Sequence, residues 1–208
     1  MAVSKIGIVE ASIKILNRDG IEGLTMRTIA KELSIKAASL YNHIRSQKEL
    51  FAEIAEYMVA RTPMPDSDGA PYDFLIQTSW AYRNILKTVR DSVAIFENSM
   101  PNTPRRVDII RNLSKKLLEF GVLPENLMTI SNMLNNYTLS FTADETRYKN
   151  TPPELLAAVS QMFESGGNPI ITGEVDFDAQ FLYGLEVLFA GVKSLNTPDP
   201  KVRRKNMH

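Results

Sequence analysis

The chain has 208 residues, of which 44% are apolar and 23% charged, as in an ordinary globular protein. It has no cysteine and only two histidines, His43 and His208, which excludes disulfides, cysteine nucleophiles and thiolate metal sites and leaves little for a histidine-based site. We therefore expect no enzymatic activity, no cofactor and no bound metal. No apolar stretch suits a signal peptide or a membrane span, so we expect a cytoplasmic protein.

The zero net charge conceals an uneven distribution along the chain. Through residue 48 there are eight basic and four acidic side chains, a net charge of +4, which leaves −4 for the remainder. Binding to phosphate depends on the local field and not on the sum over the chain. The distribution therefore predicts a basic N-terminal module, suited to DNA, on an acidic body.

Apolar residues recur at helical spacing along nearly the whole chain, without alternating runs between hairpin turns, which predicts an all-α fold. Its parts would be a three-helix N-terminal helix-turn-helix domain and a larger helical domain that binds a ligand and dimerises. The predicted helices are 4–17, one starting after Thr25, 36–44, 46–61, 73–87, 91–98, 104–120, 124–147, one from the Pro152-Pro153 pair to 164, and 176–195. Loops are predicted at 62–73 and 165–176, and a frayed tail at 201–208.

The domain boundary is placed at the first of these loops, whose sequence TPMPDSDGAPYD contains three prolines and a glycine. Residues 1–47 then form the DNA-binding domain, and the helix at 46–61 connects it to the domain at 62–208. Ser46-Gln47-Lys48-Glu49 has the form of a capping box at the start of this connector.

The second and third helices have the pattern of a helix-turn-helix. Ala30 is the small residue that lets two helices cross closely, and Ser34 stands where a left-handed residue ends the second helix. The wedge that sets the angle of the recognition helix is predicted to be filled by Leu33, Ile35, Leu40 and Ile44. Short and polar side chains on the outer face of the third helix would let it enter the major groove.

Individual roles follow from the chemistry of these side chains. Asn42 suits an adenine edge and Arg27 a guanine edge, whereas Ala37 and Ala38 offer only apolar contact, for instance to thymine methyl groups. Tyr41, Ser46 and Lys48 are placed to meet phosphates near the start of the fourth helix. Taken singly, Tyr41 and His43 are more often structural residues, and only the combined pattern is specific.

Residues 20–51, GIEGLTMRTIAKELSIKAASLYNHIRSQKELF, resemble the DNA-binding region of TetR-family transcriptional regulators. Residues 120–145 and 181–192 are similar to the C-terminal body of the tetracycline repressor branch. The resemblance implies a homodimeric, ligand-responsive repressor that places one recognition helix per subunit on a palindromic operator. It also implies the DNA-contacting residues, which are Met26, Arg27, Ala37, Ala38, Ser39, Tyr41, Asn42, His43 and Lys48.

The same resemblance implies a ligand pocket in the body. Its residues would be Thr78, Tyr82, Phe96, Ser99, Asn112, Asn136 and Phe141. They are mostly aromatic or small and neutral, which suits a drug-sized, partly apolar ligand, although each could instead simply fill the core. The resemblance places Phe96 at the position of the histidine that holds magnesium-tetracycline, and Pro63 at that of a ligand-contacting histidine. Phenylalanine cannot coordinate a metal, so we expect a different effector.

Other interpretations stay open at this point. The helices at 124–147 and 176–195 carry more apolar residues than one inward stripe uses, which fits a dimer interface and a monomer interior equally well. Gly184, Ala190 and Gly191 would allow close helix approach. An all-α enzyme using Asp144 and Glu145 is an alternative, although adjacent acids on a helix point to different sides. A small-molecule binder without operator recognition is another.

Overall fold

A computed structural model describes residues 4–165 and 175–195, and within these ranges the chain is all-α, without strands. The predicted fold class is thereby confirmed. The helices are α1 (Lys5–Asp19), α2 (Met26–Glu32), α3 (Ala37–Leu40), α4 (Gln47–Ala60), α5 (Pro71–Leu86), α6 (Ser92–Glu97), α7 (Pro104–Phe120), α8 (Leu127–Asn150), α9 (Pro153–Ser165) and α10 (Phe177–Leu195).

The start of α1 is fixed by a side-chain cap. The hydroxyl of Ser4 accepts a hydrogen bond from the backbone N–H of Gly7 at 3.1 Å, which satisfies a donor that the first turn leaves free. Ile8 and Ile15, on the inner face of this helix, are fully buried. The helix ends at Gly20, whose φ of 74° lies in the left-handed region that favours glycine.

The turn between α2 and α3 has the predicted form. Thr25 caps α2 through a reciprocal pair of hydrogen bonds with Thr28, whose backbone N–H donates to the Thr25 hydroxyl at 3.1 Å. Ser34 adopts a φ of 54°, and the N–H of Ile35 then reaches back to the carbonyl of Ala30 at 2.9 Å. Ala30 is buried where α2 and α3 cross, and its small side chain allows the two helices to approach closely. The chain therefore turns sharply enough to lay α3 across α2.

Several predicted helix limits need correction. The helix predicted at 124–147 covers Leu127–Asn150, after a 3₁₀ turn at Pro124–Asn126. The third helix was expected at 36–44, but regular α-helix covers only Ala37–Leu40 and turns follow it. The cause lies at Leu40, whose carbonyl accepts the N–H groups of both His43 and Ile44 at 2.9 Å, so the last turn tightens before α4 begins. The fifth helix begins at Pro71 instead of residue 73, because proline is well suited to the first turn of a helix.

The predicted capping box at α4 forms in an altered way. Ser46 accepts from the backbone N–H of Glu49 at 3.1 Å, as expected. The Glu49 carboxylate, however, accepts from the N–H of Arg45 at 2.8 Å and not from that of Ser46. The cap thereby also fixes the residue that joins the helix-turn-helix to the connector helix.

By their internal contacts, the residues form two compact units, Met1–Phe120 and Gly121–His208. In the first unit α4 packs against α1, α6 and α7, and α5 packs against α7, so the connector helix lies in a core shared by the helix-turn-helix and the helices after it. This division into two units reflects which helices pack against each other. The functional boundary predicted at residue 62 stays a prediction.

The second unit is built on α8 and α10, with Phe181, Leu185 and Phe189 of α10 buried. Gly184 permits the close approach, since a Cβ there would lie 2.1 Å from the Tyr137 hydroxyl, which itself donates to the carbonyl of Phe181 at 3.0 Å. Most of the predicted loop at 165–176 and all of the predicted tail at 201–208 lie outside the described residues. Among the described helices, none combines the length and apolar character that crossing a membrane requires.

Candidate nucleic-acid interface and Arg106 cluster

The short helix α3 presents one buried and one exposed face. Leu40 and the following Ile44 are fully buried and anchor it against the rest of the helix-turn-helix. The side chain of Tyr41 is 53% exposed. The predicted DNA-contacting residues divide into an exposed set, Arg27, Ala37, Ala38, Tyr41, Asn42 and Lys48, and a half-buried set, Met26, Ser39 and His43. A helix anchored on one side and open on the other can enter a groove of DNA.

The cations around this face differ from those elsewhere in the helix-turn-helix. Lys5 forms an ion pair with Glu53 at 2.9 Å, which raises the pKa of the lysine, and Arg18 pairs with Glu32 at 3.1 Å. In the part of the chain that the structure describes, the exposed cations nearest α3 have no carboxylate within 4.0 Å: Arg27, Lys36, Arg45 and Lys48. Their charges are available to phosphate oxygens.

A second cluster lies in the body part of the first unit. The rings of Tyr82 on α5 and Phe96 on α6 are 5.4 Å apart, centroid to centroid. The guanidinium of Arg106 on α7 lies 5.2 Å from the centroid of Phe96 and donates to the hydroxyl of Ser99 at 3.0 Å. Burial raises the pKa of the Tyr82 phenol, which is thus neutral at physiological pH. We call these four residues, with Thr78 one helical turn before Tyr82, the Arg106 cluster.

The cluster is tied to the connector helix by Glu56 of α4. Its two carboxylate oxygens accept from the backbone N–H groups of Arg105 and Arg106, at 2.8 and 3.2 Å. These N–H groups belong to the first turn of α7, where helical partners are missing and negative charge is favoured. Glu56 therefore joins the start of α7 directly to the connector helix α4.

The other predicted pocket residues are placed differently. Asn112 is exposed on α7, within the first unit. In the second unit Asn136 is exposed, and Phe141 is half-buried among aromatic rings, with its centroid 5.1 Å from that of Phe181. Of the predicted pocket residues, Tyr82, Phe96 and Ser99 thus lie together with Arg106, which was not predicted, and Thr78 lies one turn before Tyr82 on α5.

Sequence reasoning missed Arg106 because an arginine in the first turn of a polar-faced helix is usually solvated. It is only 8% exposed. The one signal in the sequence is its place two residues after Pro104, on the stretch that follows the predicted pocket residues Phe96 and Ser99. Its burial results from packing against α4 and α6, which no local pattern reveals.

The two acids of the enzyme alternative do not share a site. Asp144 is exposed and pairs with Arg147 at 2.6 Å, whereas Glu145 is 1% exposed and pairs with Lys149 at 2.6 Å. They point to different sides of α8, as adjacent helical residues do. Within residues 4–165 and 175–195, no three metal-ligating side chains gather into a group that could hold an ion.

A buried helix-turn-helix core, an outward recognition face and unpaired cations around it define a helix-turn-helix protein of the DNA-binding class. Residues 8–54 match the family model of bacterial regulatory proteins of the tetR family. Residues 63–195 match that of the tetracyclin repressor-like C-terminal domain. The chain belongs to the TetR family and is a DNA-binding transcriptional regulator, which confirms the resemblance seen in its sequence.

Curated relatives and solved structures agree with this assignment. The class A tetracycline repressor of transposon 1721 from Escherichia coli is 27% identical over 197 residues, which cover 89% of this chain and 88% of the relative. The class D tetracycline repressor from Escherichia coli is 25% identical, with coverages of 88% and 86%.

Among solved structures, Streptomyces coelicolor ActR in complex with actinorhodin superposes with a TM-score of 0.82 at 20% identity, covering 95% of this chain and all of that one. Mycobacterium smegmatis BioQ superposes with a TM-score of 0.74 at 24% identity, with coverages of 92% and 98%. BioQ with its double-stranded DNA operator gives a TM-score of 0.72 at 23% identity, with coverages of 91% and 98%. At these identities the likeness concerns the fold.

Proposed function

We propose that the protein is a homodimeric repressor that binds a palindromic operator through α3 and releases it when a small, partly apolar molecule occupies the body. The observation that carries the proposal is the open face of α3, held between buried Leu40 and Ile44 on one side and unpaired cations on the other. Because it acts on DNA, we propose that it works in the cytoplasm, where the operator is.

The roles of individual residues follow from their positions. Arg27 and Asn42 are exposed side chains with the donors to read guanine and adenine edges, and Lys48 lies in the first turn of α4, where free backbone N–H groups also attract phosphate. Met26, Ser39 and His43 are half-buried and would support the docked helix at its margins. Ala37 and Ala38 add apolar contact, so we expect an operator different from those of the tetracycline repressors.

A second argument supports dimerisation through α8 and α10. A groove of about 490 Å³ runs between them and is lined mainly by apolar residues, among them Ile130, Met133, Val187 and Leu188. Val187 is 54% and Met133 49% exposed in the single chain. Gly191 lines the same groove, and a Cβ built there would meet nothing within 4 Å, so the space beside it is open to another helix. These features favour the dimer interpretation over a purely interior role.

The effector is inferred to differ from magnesium-tetracycline. The tetracycline repressors are this chain's relatives, but Phe96 occupies the position where the metal-binding histidine is expected, and its ring packs against Tyr82. An aromatic carbon offers no lone pair to a metal. The buried Phe96 and the half-buried Tyr82 instead suit an apolar part of an organic ligand. We infer a regulatory role without catalysis, since Asp144 and Glu145 point apart.

The test is fluorescence anisotropy with DNA from the upstream region of the gene, complemented by selection from random DNA. Specific binding by one dimer should survive nonspecific competitor and weaken steeply with salt. Arg27→Ala and Tyr41→Phe should each weaken binding, by about tenfold for a lost base or phosphate contact. Both variants should keep the helical content and oligomeric state of the parent.

Arg111→Ala is the matched control, because it removes an exposed arginine from α7, far along the chain from α3. It should bind the operator as the parent does. Unchanged affinity in both Arg27→Ala and Tyr41→Phe would count against recognition through α3. Failure of random selection to yield any preferred sequence would favour a small-molecule binder without operator recognition.

A further inference from the structure

Arg106 is a buried cation with no carboxylate in contact with its guanidinium. Its side chain is 8% exposed, and among the described residues no carboxylate oxygen lies within 4.0 Å of its guanidinium. Its hydrogen-bond acceptors are neutral: the Ser99 hydroxyl at 3.0 Å and the Met100 carbonyl at 3.1 Å. Buried arginines are ordinarily paired with an acid, so this one is unusual.

Glu56, an acid whose charge acts on Arg106, has its oxygens in other hydrogen bonds. Glu56 uses both carboxylate oxygens for the backbone N–H groups of Arg105 and Arg106, so it makes no direct contact with the guanidinium and acts on it only through its charge at longer range. Burial lowers the pKa of Arg106, and this effect is larger than the opposing influences of Tyr82 and Glu56. Arginine nevertheless stays protonated at physiological pH, so the positive charge persists and its desolvation is incompletely compensated.

Two buried hydroxyls on the helices that carry Tyr82 and Arg106, or directly before them, have unused hydrogen-bonding capacity. Thr78 and Thr103 are 7% exposed, and within the described ranges neither hydroxyl has a hydrogen-bond partner. Thr78 stands on the same face of α5 as Tyr82, four residues before it, and Thr103 directly precedes α7. Buried hydroxyls without a hydrogen-bond partner are rare in protein cores, and they are expected where a ligand or a water molecule supplies the missing partner.

Apolar surface lies directly beside the charge. The Phe96 ring is 5.2 Å from the guanidinium carbon, and the Tyr82 ring packs against Phe96 at 5.4 Å. Met100, whose carbonyl accepts from Arg106, is 70% exposed. A planar donor next to aromatic rings matches an anion carried on an apolar frame.

We propose that the effector of this regulator carries a carboxylate or similar anionic oxygen group, which is bound by Arg106 while its apolar frame packs on Phe96 and Tyr82. This inference rests on the proposed function and names the chemical class of the effector. Binding would supply the missing negative charge, and the contact would act at the first turn of α7, which Glu56 links to α4.

The test compares an anionic fragment with its neutral isostere, 4-fluorobenzoate with 4-fluorobenzamide, by fluorine NMR titration of the full chain up to about 10 mM, a range that detects millimolar binding. The carboxylate should bind about tenfold more tightly than the amide, since charged hydrogen bonds are the stronger ones. In Arg106→Met this preference should disappear. In Arg106→Lys, which keeps the charge but loses the planar fork, it should be reduced but present.

Arg111→Met is the matched control, since Arg111 is an exposed arginine on the same helix, and it should keep the parental preference. Circular dichroism and operator binding establish that each variant is folded. If Arg106→Met does not fold, the test compares the carboxylate preference of the parent with that of Arg106→Lys. Equal binding of the two fragments to the parent, no carboxylate binding at the highest concentration, or an unchanged preference in Arg106→Met would each overturn the proposal. Failure of the repressor function would appear instead as absent operator binding, a separate measurement.

Discussion

Ser34 is the residue on which the angle of the recognition helix depends. Its φ of 54° is costly for a side chain with a Cβ, by about 1–2 kcal/mol, yet this conformation lets the N–H of Ile35 bond to Ala30. Replacement by glycine removes that cost, but it also makes the unfolded chain more flexible, which lowers the free energy of unfolding by about 0.4–1 kcal/mol. We expect Ser34→Gly to raise the free energy of unfolding by about 0.5–1 kcal/mol in urea denaturation.

Ser34→Ala provides the control, because it removes the hydroxyl but keeps the Cβ. It should be neutral or slightly destabilising. Equal stabilisation by alanine and glycine would show that the hydroxyl, and not the backbone conformation, is the source of the effect. Operator affinity should change little in either variant, since the turn geometry stays the same.

Residue by residue, the sequence was most informative where local chemistry decides the structure. The left-handed Ser34, the cap at Thr25 and the small Ala30 all follow from rules that act within a few residues. Arg106 did not, because its burial depends on α4 and α6, which are distant in the sequence. Glu56 was missed for the same reason, since its partners are 49 and 50 residues away.

Among the elements, the loop between α5 and α6 holds the end of α1. The Asp91 carboxylate accepts from the N–H of Ile21 at 2.7 Å, and the N–H of Arg90 donates to the Asn17 side chain at 3.0 Å. Gly20 lies between them, and a Cβ there would come within 2.9 Å of the Arg90 and Asp91 side chains. This loop therefore connects the helix-turn-helix to the rest of the first unit at a second place besides α4.

Asp91→Ala should weaken this connection. It loses a charged acceptor, and alanine tolerates the φ of 59° at position 91 less well than aspartate does. We expect the free energy of unfolding to fall by about 2–3 kcal/mol, measured in urea. Asp91→Asn retains an acceptor oxygen and a side chain suited to this φ, so its loss should be about 1 kcal/mol. Equal losses in the two variants would contradict a role for the hydrogen bond and backbone conformation together.

Helix limits show where prediction from sequence ended. The existence and order of the helices followed from apolar spacing, and α7 was predicted to the residue. The short α3 was overestimated, because its apolar pattern continues through Ile44 while the backbone has already tightened at Leu40. The spacing of apolar residues indicates only which side chains are buried. A 3₁₀-like turn buries Ile44 just as effectively as a further α-helical turn would, so the sequence pattern does not distinguish the two.

At the scale of the whole molecule, the alternative left open by the sequence concerned α8 and α10. Phe181, Leu185 and Phe189 account for the interior of the second unit. The same helix leaves three large side chains 54–68% exposed: Tyr183, Val187 and Leu195. The single chain therefore does not bury all of the apolar surface of α10. A two-fold dimer buries the same patch of both chains, and such a patch is expected to be apolar.

Val187→Glu should therefore dissociate the dimer. The substitution places a carboxylate on the exposed wall of the groove, where two copies related by two-fold symmetry would bury both charges without partners. Sedimentation velocity should show a monomer, with a dissociation constant raised by at least about a hundredfold. Operator affinity should fall by a similar factor, because a monomer cannot engage both half-sites at once.

Ile110→Glu makes the same kind of change on α7, at a side chain that is 42% exposed and lies outside the groove. It should remain dimeric and bind the operator normally. A dimeric Val187→Glu would place the interface elsewhere in the molecule. A monomeric variant that still binds the operator with parental affinity would mean that each chain recognises its half-site independently, and the link between dimerisation and operator binding would then be wrong.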